Sequence, residues 1–181
     1  MNSLAEIDRL INQLVQSGFA LQGALCKTFY KKFGEDALPI ISEVFSTAGV
    51  RMGENLSGRT LMKSLKEVGE AFVEMLQSVH TLPVDPVEIS EEKIHFKALT
   101  CPYRLEGEGR ALCEAVMAHM AEMLSVAVGR EVQIDIPKTL AAGDKYCENI
   151  ITLKTTTFNP EPRSSSATLT SVAPVPEATT T

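Results

Sequence analysis

Apolar residues recur at steps of three and four through the first 79 positions. They run Leu4, Ile7, Leu10, Ile11, Leu14 and Val15, then Leu21, Leu25, Phe29 and Phe33. A third group is Ile40, Ile41, Val44, Phe45 and Ala48, and a fourth is Leu61, Leu65, Val68, Phe72, Met75 and Leu76. This spacing returns side chains to one side of a 3.6-residue turn and predicts four helices in series. Ser3 with Glu6 three residues on has the reciprocal pattern of a helix start. Gly18 is expected to stop the first helix and Gly34 to end the second, Asp36 starts the third, and the fourth runs from about Thr60 to Val79.

From residue 80 the period changes. Pro83 and Pro86 break the helical pattern. Val87–Ser90 and Lys93–Thr100 alternate on either side of Ser90-Glu91-Glu92-Lys93 and predict a hairpin with Ile94, Phe96 and Ala98 facing inward. Gly107 and Gly109 mark a loop. Arg110–Val128 returns to the helical period, with Cys113, Val116, Met117, Met120, Leu124 and Ala127 in one stripe and Gly129 as C-terminal cap. Val132, Ile134 and Ile136 alternate with polar residues as a half-buried strand does. A turn over Ala141–Lys145 leads into a last strand, Tyr146–Lys154, with Cys147, Asn149, Ile151 and Leu153 on one face. The order strand, strand, helix, strand, strand, preceded by helices, reads as an α+β fold. In it a helical segment, 1–79, packs on a small antiparallel sheet carried by segment 80–154 of the same domain. Residues 155–181 are rich in Pro, Ser and Thr, with Phe158, Leu169, Val172 and Val175 among the few apolar side chains. Such a tail buries too little surface to offset its ordering entropy and is expected to be disordered, or extended over a partner.

At 181 residues, 44% hydrophobic and 22% charged, the chain has the composition of one ordinary domain. Lys+Arg 17 against Asp+Glu 23 leaves a net charge of −6 with no basic run, which disfavours nucleic acid as a partner. The sequence shows no stretch of the ~18–20 apolar residues expected of a membrane span. Its first residues lack the basic-then-apolar layout of a signal peptide. The expectation is a soluble, cytoplasmic protein. Trp is absent, so the core rests on Leu, Ile, Val, Met and Ala. No phosphate-loop, dinucleotide, zinc-protease or serine-elbow pattern occurs.

Candidate chemistry therefore centres on the four cysteines, which without a leader do not read as a disulfide framework. Cys26 stands apart. Cys101 closes a strand before Pro102, Cys113 lies in the first turns of a helix, and Cys147 opens the last strand. A helix laid over the sheet would bring these three to one end, where they would hold zinc or an iron–sulfur cluster. The helix dipole would favour the Cys113 thiolate. The alternative is three small buried hydrophobes. Asp144, three residues before Cys147, is either a general base or ligand, or a turn residue chosen for its backbone. His119 lies about 600° around the helix from Cys113 and is expected to be exposed. His95 has the outward parity of its strand and is read as a solvated surface residue. Met117, Met120 and Met123 are either a pliable pocket wall or helix core. Tyr103 and Arg104 would orient an anion or cover a loop, and Glu106 and Glu108 solvate one.

The runs T-C-P-Y-R (Thr100–Arg104), A-L-C-E (Ala111–Glu114), V-G-R-E-V (Val128–Val132) and T-L-A-A-G-D-K-Y-C (Thr139–Cys147) together resemble the 4-vinyl-reductase-type small-molecule-binding domains. T-F-Y-K-K-F-G-E-D-A (Thr28–Ala37) and G-V-R-M-G-E-N-L (Gly49–Leu56) resemble the subgroup of L-2-amino-thiazoline-4-carboxylic acid hydrolases. The resemblance spans about residues 20–154. It implies a cysteine site at Cys101, Cys113 and Cys147 that binds iron–sulfur or zinc, with Lys138 standing where related sensors have a zinc ligand. Three functions follow as expectations. The first is a metal- or cluster-binding accessory domain for a small molecule. The second is a hydrolase opening a small cyclic C–N substrate, with Cys113 or Cys147 as nucleophile and Asp144 moving protons. The third is an apolar-ligand-binding dimer with structural cysteines. A small-molecule ligand is the expected partner, with a second copy or another protein beside it.

Overall fold

The computed structural model describes residues 4–57, 64–78 and 82–154. The Ser3 cap, the start of the fourth helix at Thr60 and Leu61, its end at Val79, and the 155–181 tail lie outside the described residues. The elements are α1 (Leu4–Phe33), a 3₁₀ turn (Gly34–Asp36), α2 (Ala37–Ser57), α3 (Leu65–Ser78), β1 (Val84–Ile89), β2 (Lys93–Ala98), α4 (Arg110–Val128), β3 (Val132–Lys138), a second 3₁₀ turn (Leu140–Ala142) and β4 (Cys147–Leu153). This is the α+β arrangement the period change predicts.

Gly18 does not stop α1, which runs unbroken for 30 residues. A lone glycine costs a helix about 1 kcal/mol relative to alanine, and with no proline or left-handed cap beside it the periodic run simply continues. Gly34, at φ +60, supplies the left-handed residue that ends it. Nor does Pro86 exclude a strand: β1 runs through it. The sheet order is β1-β2-β4-β3 with antiparallel neighbours, so the last strand is inserted beside β2 rather than at an edge. Pro86 and Pro137 both fall in the two edge strands, at the register shifts Pro86/Glu88 and Asp135/Lys138, where a missing N–H breaks no central ladder.

α4 is the central helix. With 19 residues and a mean hydropathy of 1.5 it is long and apolar enough to cross a membrane, contrary to the sequence expectation. It is apolar nearly all round because it is covered on both sides, by α2 on one and by α3 and the sheet on the other. Two cores result. One joins α3 and α4 to the sheet through Phe72, Ile94, Phe96, Leu124 and Ile151. The other joins α1 and α2 to the first half of α4 through Cys26, Ile41, Tyr103, Leu112 and Val116.

Close backbone approach fixes the second core. Gly49 and Gly53 sit one turn apart on α2, both buried. A Cβ at Gly49 would fall on the His119 carbonyl and 2.8 Å from its Cα, and one at Gly53 would lie 2.6 Å from the Met123 carbonyl. On α1, a Cβ at Gly23 would fall on the Tyr103 carbonyl. The opposite face of α1 is not used by the fold: Ile7, Ile11, Leu14, Leu21 and Leu25 are exposed.

A candidate ligand cavity between the two cores

Where the two cores meet they leave a cavity of about 230 Å³, partly open to the surface. Phe72 and Phe96 wall it on the sheet side, Phe19 and Phe45 on the α1 and α2 side, and Met117, Met120 and Met123 along α4. The methionine stripe therefore lines a pocket. Unbranched thioether side chains suit such a wall because they fill irregular space. Among the described residues no Lys, Arg, Asp or Glu borders the cavity. A smaller polar recess near Gln16 and Arg104 adjoins it, sharing Phe19, Leu82, Thr100, Cys101 and Pro102.

The Cys-Pro-Tyr-Arg run forms the turn that delivers one polar group. Arg104 N–H donates to the Cys101 carbonyl at 3.0 Å, and Arg104 adopts φ +53. The turn drives Tyr103 inward, where its ring meets Phe19 and Phe45 edge-on. Arg104 itself stays exposed, its carbonyl accepting from Lys27 Nζ at 3.0 Å.

His119 is not exposed as its position around the helix predicts. The side of α4 away from the cysteine stripe does not meet water, because α2 covers it. His119 Nδ1 lies 2.7 Å from the Val116 carbonyl, which fixes the proton on Nδ1. Nε2 is then the acceptor, 3.3 Å from the Tyr103 hydroxyl, which donates to it. Burial pushes the His119 pKa down, partly opposed by the Val116 carbonyl, and burial pushes the Tyr103 phenol up. Both are neutral near pH 7.

A pH dependence follows. The unfolded chain protonates this histidine near pH 6.5, while the folded protein resists until a lower pH. Stability is therefore complete above about pH 6.5 and falls as pH drops from there toward the depressed folded value. The urea midpoint is expected to be lower at about pH 5.5 than at about pH 7.5, and His119→Gln to shrink that difference. An undiminished difference in the variant would assign the effect to other groups.

Cys101, Cys113 and Cys147 all border the cavity, while Cys26 is buried in the second core. Cys113 and Cys147 meet at Thr139, a buried residue that sequence reasoning passed over. The Thr139 hydroxyl donates to Cys113 Sγ at 3.2 Å and accepts from the Cys147 thiol at 3.8 Å and from Ala141 N–H at 3.2 Å. Leu140 N–H donates to Cys147 Sγ, and Leu105 N–H to Cys101 Sγ, each at 3.4 Å. The T-L-A-A-G-D run carried the only signal for Thr139: a threonine that caps the second 3₁₀ turn.

The helix dipole does not decide the state of Cys113. Burial outweighs it and the Thr139 hydrogen bond, and pushes this thiol up to about 11. Burial raises Cys101 as well. Among the described residues no group of three or more His, Cys, Asp or Glu side chains is gathered as a metal ion requires. The expectation of zinc or an iron–sulfur cluster on Cys101, Cys113 and Cys147 gains no support from this arrangement. Among the described residues no thiol is hydrogen-bonded to a histidine either.

Asp144 closes its own turn: Oδ2 accepts from Thr139 N–H at 2.8 Å, while Asp144 N–H donates to the Thr139 carbonyl. His95 lies on the outer face of the sheet, 3.0 Å from Glu148, and does not reach the cavity. Lys138 is also outside, donating to the Tyr146 hydroxyl at 2.6 Å and 3.5 Å from Glu148. Glu108 lies 3.8 Å from Lys27, and Glu106 is exposed.

No family model matches the chain. No curated protein matches it either. Solved structures do. The phenol-responsive sensory domain of the transcription activator PoxR, with phenol, is 17% identical, with a TM-score of 0.55 over 75% of this chain and 74% of that one. A trafficking protein particle complex subunit 3 from Naegleria fowleri, covalently bound to palmitic acid, is 13% identical, with a TM-score of 0.58 over 83% of this chain and 99% of that one. These likenesses establish the fold, and the hydrolase subgroup gains no family-level support from them.

Proposed function

We propose that this chain is a ligand-binding domain that takes a compact, largely apolar molecule into the cavity between its two cores, as a sensory or accessory module. The observation that carries the reading is the cavity itself. It is partly open, walled by aromatic and methionine side chains, and among the described residues free of charged ones. A well-packed interior does not keep such space without a use for it, since each void forfeits dispersion contacts. Two structures of this fold are described with a small molecule, phenol in one and palmitic acid in the other. Size favours the smaller class. An engineered apolar cavity of about 150 Å³ accommodates benzene, so about 230 Å³ suits a substituted single ring. The hydrolase reading gains no support among the described residues, where neither Cys113 nor Cys147 is hydrogen-bonded to a histidine and Asp144 is engaged in its turn.

Calorimetric titration of the full chain with phenol, 4-ethylphenol and palmitic acid tests this. Saturable binding of a phenol at one site is expected, weakened by about tenfold or more in Met120→Trp, whose indole fills the space. Binding of none of the three, or binding indifferent to Met120→Trp, would refute the reading.

A further inference from the structure

One buried polar side chain on the cavity wall has no structural partner among the described residues. Asn149 stands at the centre of β4, opposite Phe96 of β2, on the face that also carries Ile151. It is 3% exposed and borders the cavity. Its backbone belongs to the central strand, but among the described residues its carboxamide makes no hydrogen bond. Thr139 and Ser125, the other buried polar residues, are both engaged, Thr139 at the two thiols and Ser125 with the Ala121 carbonyl and Val132 N–H. Among the described residues no side-chain nitrogen or oxygen is both fully enclosed and unpaired. The Asn149 amide thus borders the cavity with no hydrogen-bond partner among the described residues.

Leaving such a group without a partner costs about 1–3 kcal/mol, which a leucine at the same place would avoid. A carboxamide both donates and accepts. The Tyr103 hydroxyl, also on the cavity wall, is one-directional. Val116 holds the His119 proton on Nδ1, His119 takes the Tyr103 proton, and the Tyr103 oxygen is left with lone pairs only. Neither group carries charge, and among the described residues no charged side chain borders the cavity, so an anion inside would find no charged partner among them.

We infer that Asn149 is the specificity-determining contact for a neutral cyclic ligand bearing a hydroxyl or amide N–H. The carboxamide oxygen takes that proton, or its NH₂ group meets the ligand oxygen. Carboxylates, including a thiazoline carboxylate, are rejected. This rests on the ligand-binding reading above and narrows it to one chemical class and one residue.

Three ligands of nearly one shape separate the possibilities: ethylbenzene, 4-ethylphenol and 4-ethylbenzoate, titrated into the full chain near pH 7. The expected order is 4-ethylphenol tightest, ethylbenzene weaker by about tenfold or more, and 4-ethylbenzoate weakest. Asn149→Leu is expected to abolish the preference for 4-ethylphenol over ethylbenzene while raising the melting temperature. Tyr103→Phe is expected to keep most of that preference. Equal binding of ethylbenzene and 4-ethylphenol by the native protein overturns this inference and leaves the cavity reading standing. A preference that survives Asn149→Leu, or that is lost only in Tyr103→Phe, overturns it too. Failure of all three ligands removes the cavity reading and this inference with it.

Discussion

Replacing Gly49 with alanine is expected to destabilise the protein by about 2 kcal/mol, while the same change at Gly18 stabilises it by about 0.5–1 kcal/mol. Both glycines lie inside helices, and alanine gains about 1 kcal/mol in helix propensity at either site. At Gly18 nothing lies within 4 Å of the added methyl, so the gain stands. At Gly49 the methyl falls on the His119 carbonyl, and the obstacle is the backbone of the central helix rather than a side chain that could turn aside. Overpacking of this kind costs about 1–3 kcal/mol, toward the upper end where backbone must move, and outweighs the propensity gain. The displaced segment is the one that holds His119 against Tyr103. Ligand affinity should therefore fall along with stability in Gly49→Ala and remain unchanged in Gly18→Ala. Urea midpoints at constant slope measure the first effect, and titration with 4-ethylphenol the second. Equal stability of the two variants would mean that α2 does not lie this close to α4.

The contrast between these glycines shows what the sequence could and could not convey. Periodicity located α4 to the residue, because nineteen positions with one stripe leave little freedom, and Gly129 ends it in the left-handed conformation expected of a cap. It placed Ile94 and Phe96 inward, both nearly inaccessible. The same reasoning stopped a helix at Gly18, because a glycine carries no mark that tells a cap from an interior site. It also missed that Gly49 and Gly53 make a helix-to-helix contact, a property of the partner's backbone. The site was half legible. Cys101, Cys113, Cys147 and the methionines do border one cavity. The polar groups that give the cavity its chemistry were misplaced or unremarked. His119 was assigned to water because one stripe on α4 implies one buried side, and α2 covers the other. Asn149 was read only as a member of an inward face, since alternation reports where a side chain points and not whether it finds a partner there. The state of the Cys113 thiol depends on burial, which its helix position does not give.

Leu124 and Met120, one turn apart on α4, provide the sharpest separation between core and cavity. Leu124→Ala is expected to cost about 3–4 kcal/mol, because Leu124 is wholly inaccessible, sits in the sheet-side core and does not border the cavity. Its removal opens a new void among side chains that are held by the sheet on one side and by α3 on the other. Met120→Ala removes a side chain of similar size, but Met120 already faces open space along part of its length. It has fewer contacts to lose, and the vacated volume joins a cavity that is open to solvent or ligand, so about 2 kcal/mol or less is expected. The two variants should also diverge in binding. Met120→Ala enlarges the pocket and shifts preference from 4-ethylphenol toward a bulkier phenol such as 4-tert-butylphenol, whereas Leu124→Ala leaves the order of ligands unchanged. Equal destabilisation by the two substitutions, with no change of ligand order in either, would show that the protein closes around Met120 and that the space beside it is not a binding site.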